Sequence, residues 1–204
     1  MNYFDAIYGA VEINEPFLID LMATQALQRL RGVLQHGITA LIGITEPVTR
    51  FDHSVGVMLL VRRLGGALDE QIAALLHDVS HTAFSHVIDY VVDGHDSQSY
   101  HEEWKESHLS SSDVPDVLAR HGYDWRDFLH EENYALLEQP VPRLCADRLD
   151  YFLRDSRDLG LSTLDQIRHA LDHLVVHDER IGVDAVDVAR WLAYTLIAAD
   201  KAIG

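Results

Sequence analysis

The sequence predicts an all-α fold, a compact helical bundle with one small β-hairpin near the C-terminus. Apolar residues make up 48% of the 204 residues and recur at helical spacing almost throughout the chain. Polar stretches rich in Gly, Ser and Asp separate these periodic segments. One segment differs, because LVVHDERIGV (residues 174–183) has β-branched runs on both sides of a polar turn, which is typical of a hairpin.

The first two helices are predicted by periodicity together with start and stop signals. PFLIDLMATQALQRLRGVL (residues 16–34) places leucines near one face, with Pro16 in the first turn and Asn14 as a candidate cap. HSVGVMLLVRRL (residues 53–64) is apolar at helical spacing and is followed by a Gly-Gly pair, which favours a helix end.

The remaining elements follow from the same reasoning. DEQIAALLHD (residues 69–78) predicts a third helix, and a fourth is expected from about residue 80 to 92. Polar loops are expected at residues 93–100 and 109–116. Further helices are expected at residues 117–122, 124–138, 143–159, 163–173 and 184–202.

Composition limits the partners. The chain has 16 Lys and Arg against 33 Asp and Glu, a net charge of −17, so it should repel the phosphate backbone of duplex nucleic acid. No apolar run is long enough to span a membrane, and the N-terminus lacks a signal-peptide pattern. The single cysteine, Cys145, excludes an intrachain disulfide and a thiolate metal cage. We therefore expect one cytoplasmic domain over residues 1–204.

The stretch LLHDVSHTAFSHV (residues 75–87) carries three histidines and an aspartate among small and apolar residues. These are His77, Asp78, His81 and His86. A His-Asp pair alone is usually two surface polar residues, because neighbouring residues of a helix point about 100° apart. A divalent metal that also binds water and substrate needs imidazole and carboxylate ligands from several elements.

Two other segments supply such groups. TRFDHSVGV contains Arg50 and His53, and CADRLDYFLRD contains Asp147 followed by further charged residues. The charges that follow Asp147 also include Arg148, Asp150, Arg154 and Asp155. On the residues alone, these charges suit exposed ion pairs on a solvated helix somewhat better than a metal and anion site.

Taken together, the segments resemble the HD-domain metal-dependent phosphohydrolases. QRLRGVLQHG, RFDHSVGV, HDVSHTAFSHVID and DRLDYFLRD are similar to motifs of the deoxynucleoside triphosphate triphosphohydrolase branch, whose vertebrate member carries SAM and HD domains. The similarity runs from about Asp5 to about residue 185. It implies a single HD phosphohydrolase domain that hydrolyses phosphate groups of nucleotides or nucleotide analogues. It also implies a divalent metal, for which Mn, Fe, Co, Ni, Mg and Zn all remain candidates.

The resemblance also implies a role for individual positions. The implied metal ligands are His53, His77, Asp78 and Asp147. The implied substrate contacts are Arg50, His81 and Arg148 to phosphate, Tyr151 and Asp155 to the sugar side, and Gln35 to the sugar 3′-hydroxyl. The implied catalytic group is His86, Asp89 and His101. In this scheme the metal activates a water molecule, the arginines balance phosphoryl charge, and His86 donates a proton to the leaving oxygen.

Several features depart from the triphosphohydrolase pattern. DAIYG replaces DPIHG, Arg148 stands where a lysine is usual, and His36 stands where a leucine is usual. Ala23 replaces an aspartate that is used for a guanine nucleotide activator, and the sequence as given ends at Gly204, before the long C-terminal region that the resemblance implies. An oligomer therefore stays open, but we do not expect a nucleotide-regulated tetramer. Release of whole triphosphate and stepwise removal of phosphate both stay open.

Two other classes of function remain as alternatives. A di-iron HD oxygenase would use His81, His86 and His101 to hold a second ion, but Arg50 and Arg148 favour a phosphate substrate. A non-catalytic nucleotide-binding module would keep the fold without turnover. The number of bound metal ions, one or two, and the uptake of dioxygen distinguish the di-iron oxygenase from a hydrolase.

Overall fold

The structure of the protein is a computed structural model. It describes residues 1–37, 40, 42–43, 46–83, 85 and 100–203, with the backbone alone at residues 100–103 and 203. Among these residues no helix is both long and apolar enough to cross a lipid bilayer.

The described elements are mainly helices, and each of the two sheets is a two-stranded antiparallel hairpin. The first half contains β1 (Asn2–Asp5), β2 (Gly9–Glu12), α1 (Pro16–Met22), α2 (Gln25–Arg29), α3 (Arg50–Arg63) and α4 (Leu68–Leu76). The second half contains α5 (Tyr100–Ser110), α6 (Val114–Arg120), α7 (Ala146–Asp158), α8 (Leu164–Asp172), β3 (Leu174–His177), β4 (Arg180–Val183) and α9 (Val186–Ile203). The predicted all-α class and the hairpin near the C-terminus are confirmed.

Helix α3 forms the centre of the domain. Eleven of its fourteen residues are buried, so it is apolar on nearly every side, as expected of a helix surrounded by other elements. It packs against α4 and α7. Its close approach to α7 requires glycine at position 56, because a Cβ there would overlap the side chains of Asp150 and Arg154. This packing places the first turns of α3 beside α7.

The helix predicted over residues 16–34 is divided at Thr24. The hydroxyl of Thr24 accepts a hydrogen bond from Leu27 N and caps α2. The carboxylate of Asp113 caps the same helix by accepting from Gln25 N at 2.6 Å and Ala26 N at 3.3 Å. The prediction of one continuous helix was therefore wrong. The cap from Asp113 helps start a new helix at Gln25, and local sequence could not reveal it because Asp113 lies in a distant part of the chain.

The prediction of a helix over residues 124–138 is also wrong. The segment forms 3-10 turns at Trp125–Phe128 and Glu131–Asn133. Leu136 N donates to Glu70 Oε1 at 2.6 Å, and the ring of buried Phe128 stacks on Tyr134. A hydrogen bond to Glu70 of another helix and ring stacking within the segment therefore replace the hydrogen bonds of a regular helix.

The N-terminal hairpin was not predicted. The carboxylate of Asp5 accepts hydrogen bonds from Ile7 N at 2.7 Å and Tyr8 N at 3.0 Å, and Gly9 has a φ of +78°. This turn reverses the chain between β1 and β2. Most of the helix expected from residue 80 to 92, and of the loop that follows it, lies outside the described residues.

Candidate metal centre

Four candidate ligands meet where α3, α4 and α7 come together. His53 lies in the first turns of α3, and His77 is the C-terminal cap of α4, followed directly by Asp78. Asp147 lies in the first turn of α7. His53, His77 and Asp78 are buried, whereas the side chain of Asp147 is 26% exposed, which leaves the cluster open on that side.

The ligand atoms are close enough to share one ion. One donor atom from each of His53, His77 and Asp147 lies within 4.8 Å of the other two. His53 Nε2 is 3.3 Å from His77 Nε2 and 2.9 Å from Asp147 Oδ1. The carboxylate of Asp78 is adjacent, with Oδ1 3.6 Å from His77 Nε2 and Oδ2 3.9 Å from His53 Nε2.

The hydrogen bonds of the two imidazoles orient them toward a common point. His77 Nδ1 lies 2.7 Å from the carbonyl oxygen of Ala74, which can only accept, so this nitrogen carries the proton. His53 Nδ1 lies 2.7 Å from Asp150 Oδ2 in the same way. Both Nε2 atoms then face each other at 3.3 Å, an arrangement that requires a cation or a proton between them. Two imidazoles with two carboxylates fit a divalent metal.

The electrostatics of the cluster also favour positive charge. Burial alone would lower the pKa of His77, but the carboxylates of Asp78 and Asp147 outweigh it and raise that pKa to about 10. The pKa of His53 is raised in the same way against burial, mainly by Asp147 and Asp150. Burial would raise the pKa of Asp78, yet Arg50 and the histidines hold it well below its usual value. The carboxylates are therefore ionised and attract a cation.

A second, buried network holds His53 in place. Asp150 is fully buried and accepts from Arg154 Nε at 2.7 Å and from Tyr8 Oη at 2.8 Å, in addition to its contact with His53. Arg154 also donates to Asp5 Oδ2 at 2.9 Å. Arg154, for which the sequence suggested either a metal and anion site or exposed ion pairs, thus balances two buried carboxylates.

Two of the residues implied to contact phosphate border the metal cluster. Arg50 Nη1 donates to Asp78 Oδ2 at 2.7 Å, and Arg50 Nε donates to Ser85 Oγ at 2.9 Å. His81 Nε2 lies 3.2 Å from Asp78 Oδ1. Asp78 therefore connects a guanidinium and an imidazole to the same cluster, and both groups suit an anion placed beside a metal.

Arg148, the third of these residues, is directed elsewhere in this structure. Its guanidinium donates to Glu138 Oε1 at 2.9 Å and to the carbonyl oxygens of Gln139 and Arg143. It would have to leave these partners to reach an anion at the cluster.

The residues implied to contact the sugar lie along α7 and before α3. Tyr151 is one turn after Asp147, and burial and the Asp147 charge raise its pKa to about 12. Asp155 Oδ1 lies 2.6 Å from His36 Nε2. The side-chain oxygen of Gln35 is buried and has no hydrogen-bond partner among the described residues.

The implied catalytic group has two residues outside the described part of the chain and one described by its backbone alone. His86 and Asp89 lie outside the described residues. His101 belongs to the first turn of α5, where the backbone alone is described.

The comparisons with known proteins agree with this geometry. The family model described as "HD domain" matches residues 50–155, which is 106 of the 204 residues and includes all four candidate ligands. The chain belongs to the HD domain family. The family resemblance inferred from the four motifs is thereby confirmed.

Relatives of this HD-domain chain include proteins named as phosphohydrolases. It is 48% identical over 170 residues to "Metal-dependent phosphohydrolase cns2" of Cordyceps militaris, covering 83% of this chain and 49% of that protein. It is 44% identical over 192 residues to the uncharacterized protein YdhJ of Bacillus subtilis, covering 94% and 58%. The chain thus spans about half the length of these curated relatives.

More distant relatives support the same family. The chain is 27% identical over 210 residues to the "Deoxynucleoside triphosphate triphosphohydrolase SAMHD1 homolog" of Dictyostelium discoideum, covering 87% of this chain and 40% of that protein. The crystal structure of a hypothetical protein from Aquifex aeolicus superposes with a TM-score of 0.69 at 25% identity, covering 98% of this chain and 57% of that one.

Two residues near the HD-domain site, Asp5 and Lys105, had no role predicted from the sequence. Asp5 and Arg154 are 149 residues apart, and only the DAIYG motif drew attention to the N-terminal segment. Lys105 is buried and pairs with Glu131, whose charge contributes to the raised pKa of His77. A signal for Lys105 was available, because it is one of only two lysines and lies one turn after His101.

Proposed function

We propose that residues 1–204 form one cytoplasmic HD phosphohydrolase domain that removes phosphate groups from a nucleotide or nucleotide analogue. The observation that carries this proposal is the facing pair of buried Nε2 atoms, 3.3 Å apart, bordered by the carboxylates of Asp78 and Asp147 and by Arg50. A buried centre that attracts a cation and has an arginine at its edge suits hydrolysis of a phosphate ester.

The metal would be held by His53, His77, Asp78 and Asp147. When bound, it supplies a water of near-neutral pKa and a Lewis acid for the phosphoryl oxygens. Asp150 and the Ala74 carbonyl keep the imidazoles in the tautomer that presents Nε2 to the ion.

Arg50 and His81 would hold the phosphate. Both are oriented by Asp78, so their positions are set before substrate arrives and little reorganisation is needed during the reaction. Arg148 would join them after it releases Glu138, and this exchange would couple phosphate binding to movement of the segment that contains Glu138.

The other assigned residues would act on the leaving group and the nucleoside. His86, supported by Asp89 and His101, would donate a proton to the leaving oxygen. Tyr151 and Asp155 would line the sugar side. Gln35 would accept a hydrogen bond from a sugar hydroxyl, which would satisfy a buried oxygen that has no partner among the described residues.

The names of the relatives support the two parts of the proposal to different degrees. The fungal relative, at 48% identity, is named a metal-dependent phosphohydrolase, which supports the reaction class. The Dictyostelium relative, at 27% identity, is named a deoxynucleoside triphosphate triphosphohydrolase, which supports a dNTP-type substrate.

A product assay tests the proposal. The purified protein is incubated with Mn²⁺ and with each of dGTP, dATP, GTP and a nucleoside monophosphate, and the products are separated by ion-exchange chromatography. Nucleoside with intact triphosphate indicates a triphosphohydrolase, whereas diphosphate, monophosphate and free phosphate in succession indicate stepwise hydrolysis. His77→Ala should lose metal and turnover together, while His177→Ala, which changes an exposed histidine, should keep both.

The negative outcomes separate the alternatives. A protein that binds metal and nucleotide but releases no product with any metal is a binding module, not a hydrolase. Two bound iron ions with dioxygen uptake indicate an oxygenase. His86→Ala should keep metal and substrate binding and lose rate, and a variant with the wild-type rate would remove His86 from the mechanism.

A further inference from the structure

Helix α9 is apolar on two opposite faces. The face toward the domain buries Val188, Thr195 and Ala199. The opposite face exposes Val186, Tyr194, Leu196 and Ile197 to 68%, 73%, 56% and 53%. Several large apolar side chains exposed together on one face are typical of a contact surface, so the exposed face of α9 suits contact with another element.

The exposed face has the spacing of a helix-pairing seam. Val186, Arg190, Ala193, Ile197 and Asp200 follow one another at intervals of four, three, four and three residues. This alternation places them in one stripe along the helix and is typical of the contact positions of paired helices. Tyr194 and Leu196 lie on the two sides of the stripe.

The charges on this stripe are arranged symmetrically. The side chains of Arg190 and Asp200 are both exposed, and neither side chain has a hydrogen bond or an ion pair with any residue that the structure describes. Each is five residues from Thr195, one toward each end of the helix. A two-fold axis at the level of Thr195 would therefore place Arg190 opposite Asp200 of a second copy, and would do so twice.

The same axis matches residue sizes. It places the small side chain of Ala193 opposite the larger Ile197 of the second copy, again twice. Small and large side chains that face one another allow close packing of two helices. The charge pairing and the size pairing thus indicate the same antiparallel register. A parallel pair of helices would place Arg190 opposite Arg190 of the second copy, which is unfavourable because the charges are alike.

We propose that α9 forms an antiparallel, two-fold symmetric interface with α9 of a second copy of this chain. The net charge of −17 opposes unspecific association, so a specific contact gains from the two Arg–Asp pairs. One face of an 18-residue helix from each copy gives an interface smaller than the roughly 1,200–2,000 Å² of stable specific complexes. The dimer should therefore be reversible and dependent on concentration. This proposal does not rest on the proposed function, because none of the candidate site residues lies on α9.

Charge reversal provides the main test. Sedimentation velocity over a range of concentrations is measured for the wild type, Arg190→Asp, Asp200→Arg and the double variant. Each single reversal places like charges opposite one another and should raise the dimer dissociation constant about tenfold or more. The double variant restores opposite charges across the axis and should return the constant to within a few-fold of the wild type.

Two further variants fix the location of the interface. Ile197→Glu places a charge in the middle of the seam and should give a monomer, with circular dichroism showing that the helices are retained. Arg168→Asp makes the same charge change as Arg190→Asp on an exposed residue of α8 and should leave the dimer intact. The proposal is overturned by a wild type that is monomeric at every concentration, by a dimer unaffected by Ile197→Glu, or by a double variant that fails to recover.

Discussion

The orientation of the His53 ring depends on the carboxylate of Asp150, which contacts the Nδ1 atom of the ring. Asp150 is held by Arg154 and Tyr8 and lies 2.7 Å from His53 Nδ1, opposite the nitrogen that faces the candidate metal position. A carboxylate in this position fixes the tautomer and makes the imidazole a stronger ligand. In the proposed metal site, the affinity of His53 for the ion would therefore be set partly by residues that do not touch the metal.

Asp150→Asn should weaken Mn²⁺ binding by about 10- to 100-fold, because the amide carries no charge and fixes the tautomer less strongly. Isothermal titration calorimetry measures this change. Asp155→Asn, on the same helix, removes a carboxylate that contacts His36 and should leave the affinity for Mn²⁺ unchanged. Equal affinities of the wild type and Asp150→Asn would show that the Asp150 contact does not tune the ligand.

Part of this site could be predicted from the sequence and part could not. His77 and Asp78 are adjacent and carry a recognisable motif, and Asp150 follows Asp147 by three residues, so both pairs can be read locally. Asp5 reaches Arg154 across 149 residues. Nothing in either local segment indicates that contact, because it depends on how the N-terminal hairpin packs against α7.

At the scale of helices, the contact between α3 and α7 depends on Gly56. A Cβ at this position would overlap Arg154 Nη2 and Asp150 Oδ1, the two groups that form the buried network behind His53. Gly56→Ala should therefore destabilise the fold by about 1–3 kcal/mol, the usual cost of overpacking a buried contact. It should also weaken metal binding, because Asp150 must move away from His53. Thermal unfolding and metal titration of the variant measure the two effects.

Gly32→Ala is the matched control for this substitution. A Cβ at position 32 meets nothing within 4 Å, so the variant should keep the wild-type stability within about 0.5 kcal/mol. A Gly56→Ala variant as stable as the wild type would contradict this prediction, because it would show that α3 and α7 can move apart without a cost in free energy.

The helices that were predicted well are those with one continuous buried face. Helix α8 is an example, because Thr163 and Gln166 form a capping box and the buried positions follow helical spacing. The segment 124–138 failed because its backbone is held by a distant carboxylate, that of Glu70, and by ring stacking. The helix over residues 16–34 failed for a similar reason, since Asp113 caps its second part from 88 residues away. Local periodicity contains no information about such tertiary caps.

At the scale of the whole molecule, the candidate ligands connect distant parts of the chain. His53 and Asp147 are 94 residues apart, and His77 lies between them at the end of a third helix. An ion bound only by the folded state stabilises it by about 2.7 kcal/mol when its concentration is 100 times the dissociation constant. Mn²⁺ should therefore raise the melting temperature by several degrees, and a chelator should reverse the rise. His77→Ala should show neither effect.

The size of this stabilisation should depend on pH. In the metal-free protein the pKa of His77 is raised from 6.5 to about 10, so the proton stabilises the folded state fully below pH 6.5 and this stabilisation is lost as the pH rises through 10. Metal binding must displace that proton, since a ligating imidazole is neutral. The gain in melting temperature from Mn²⁺ should therefore shrink as the pH falls from about 8 to about 6. Differential scanning fluorimetry of the wild type and His77→Ala, with and without Mn²⁺ at both pH values, measures this gain in melting temperature. An equal gain at both pH values would mean that the ion and the proton do not compete for the two facing Nε2 atoms.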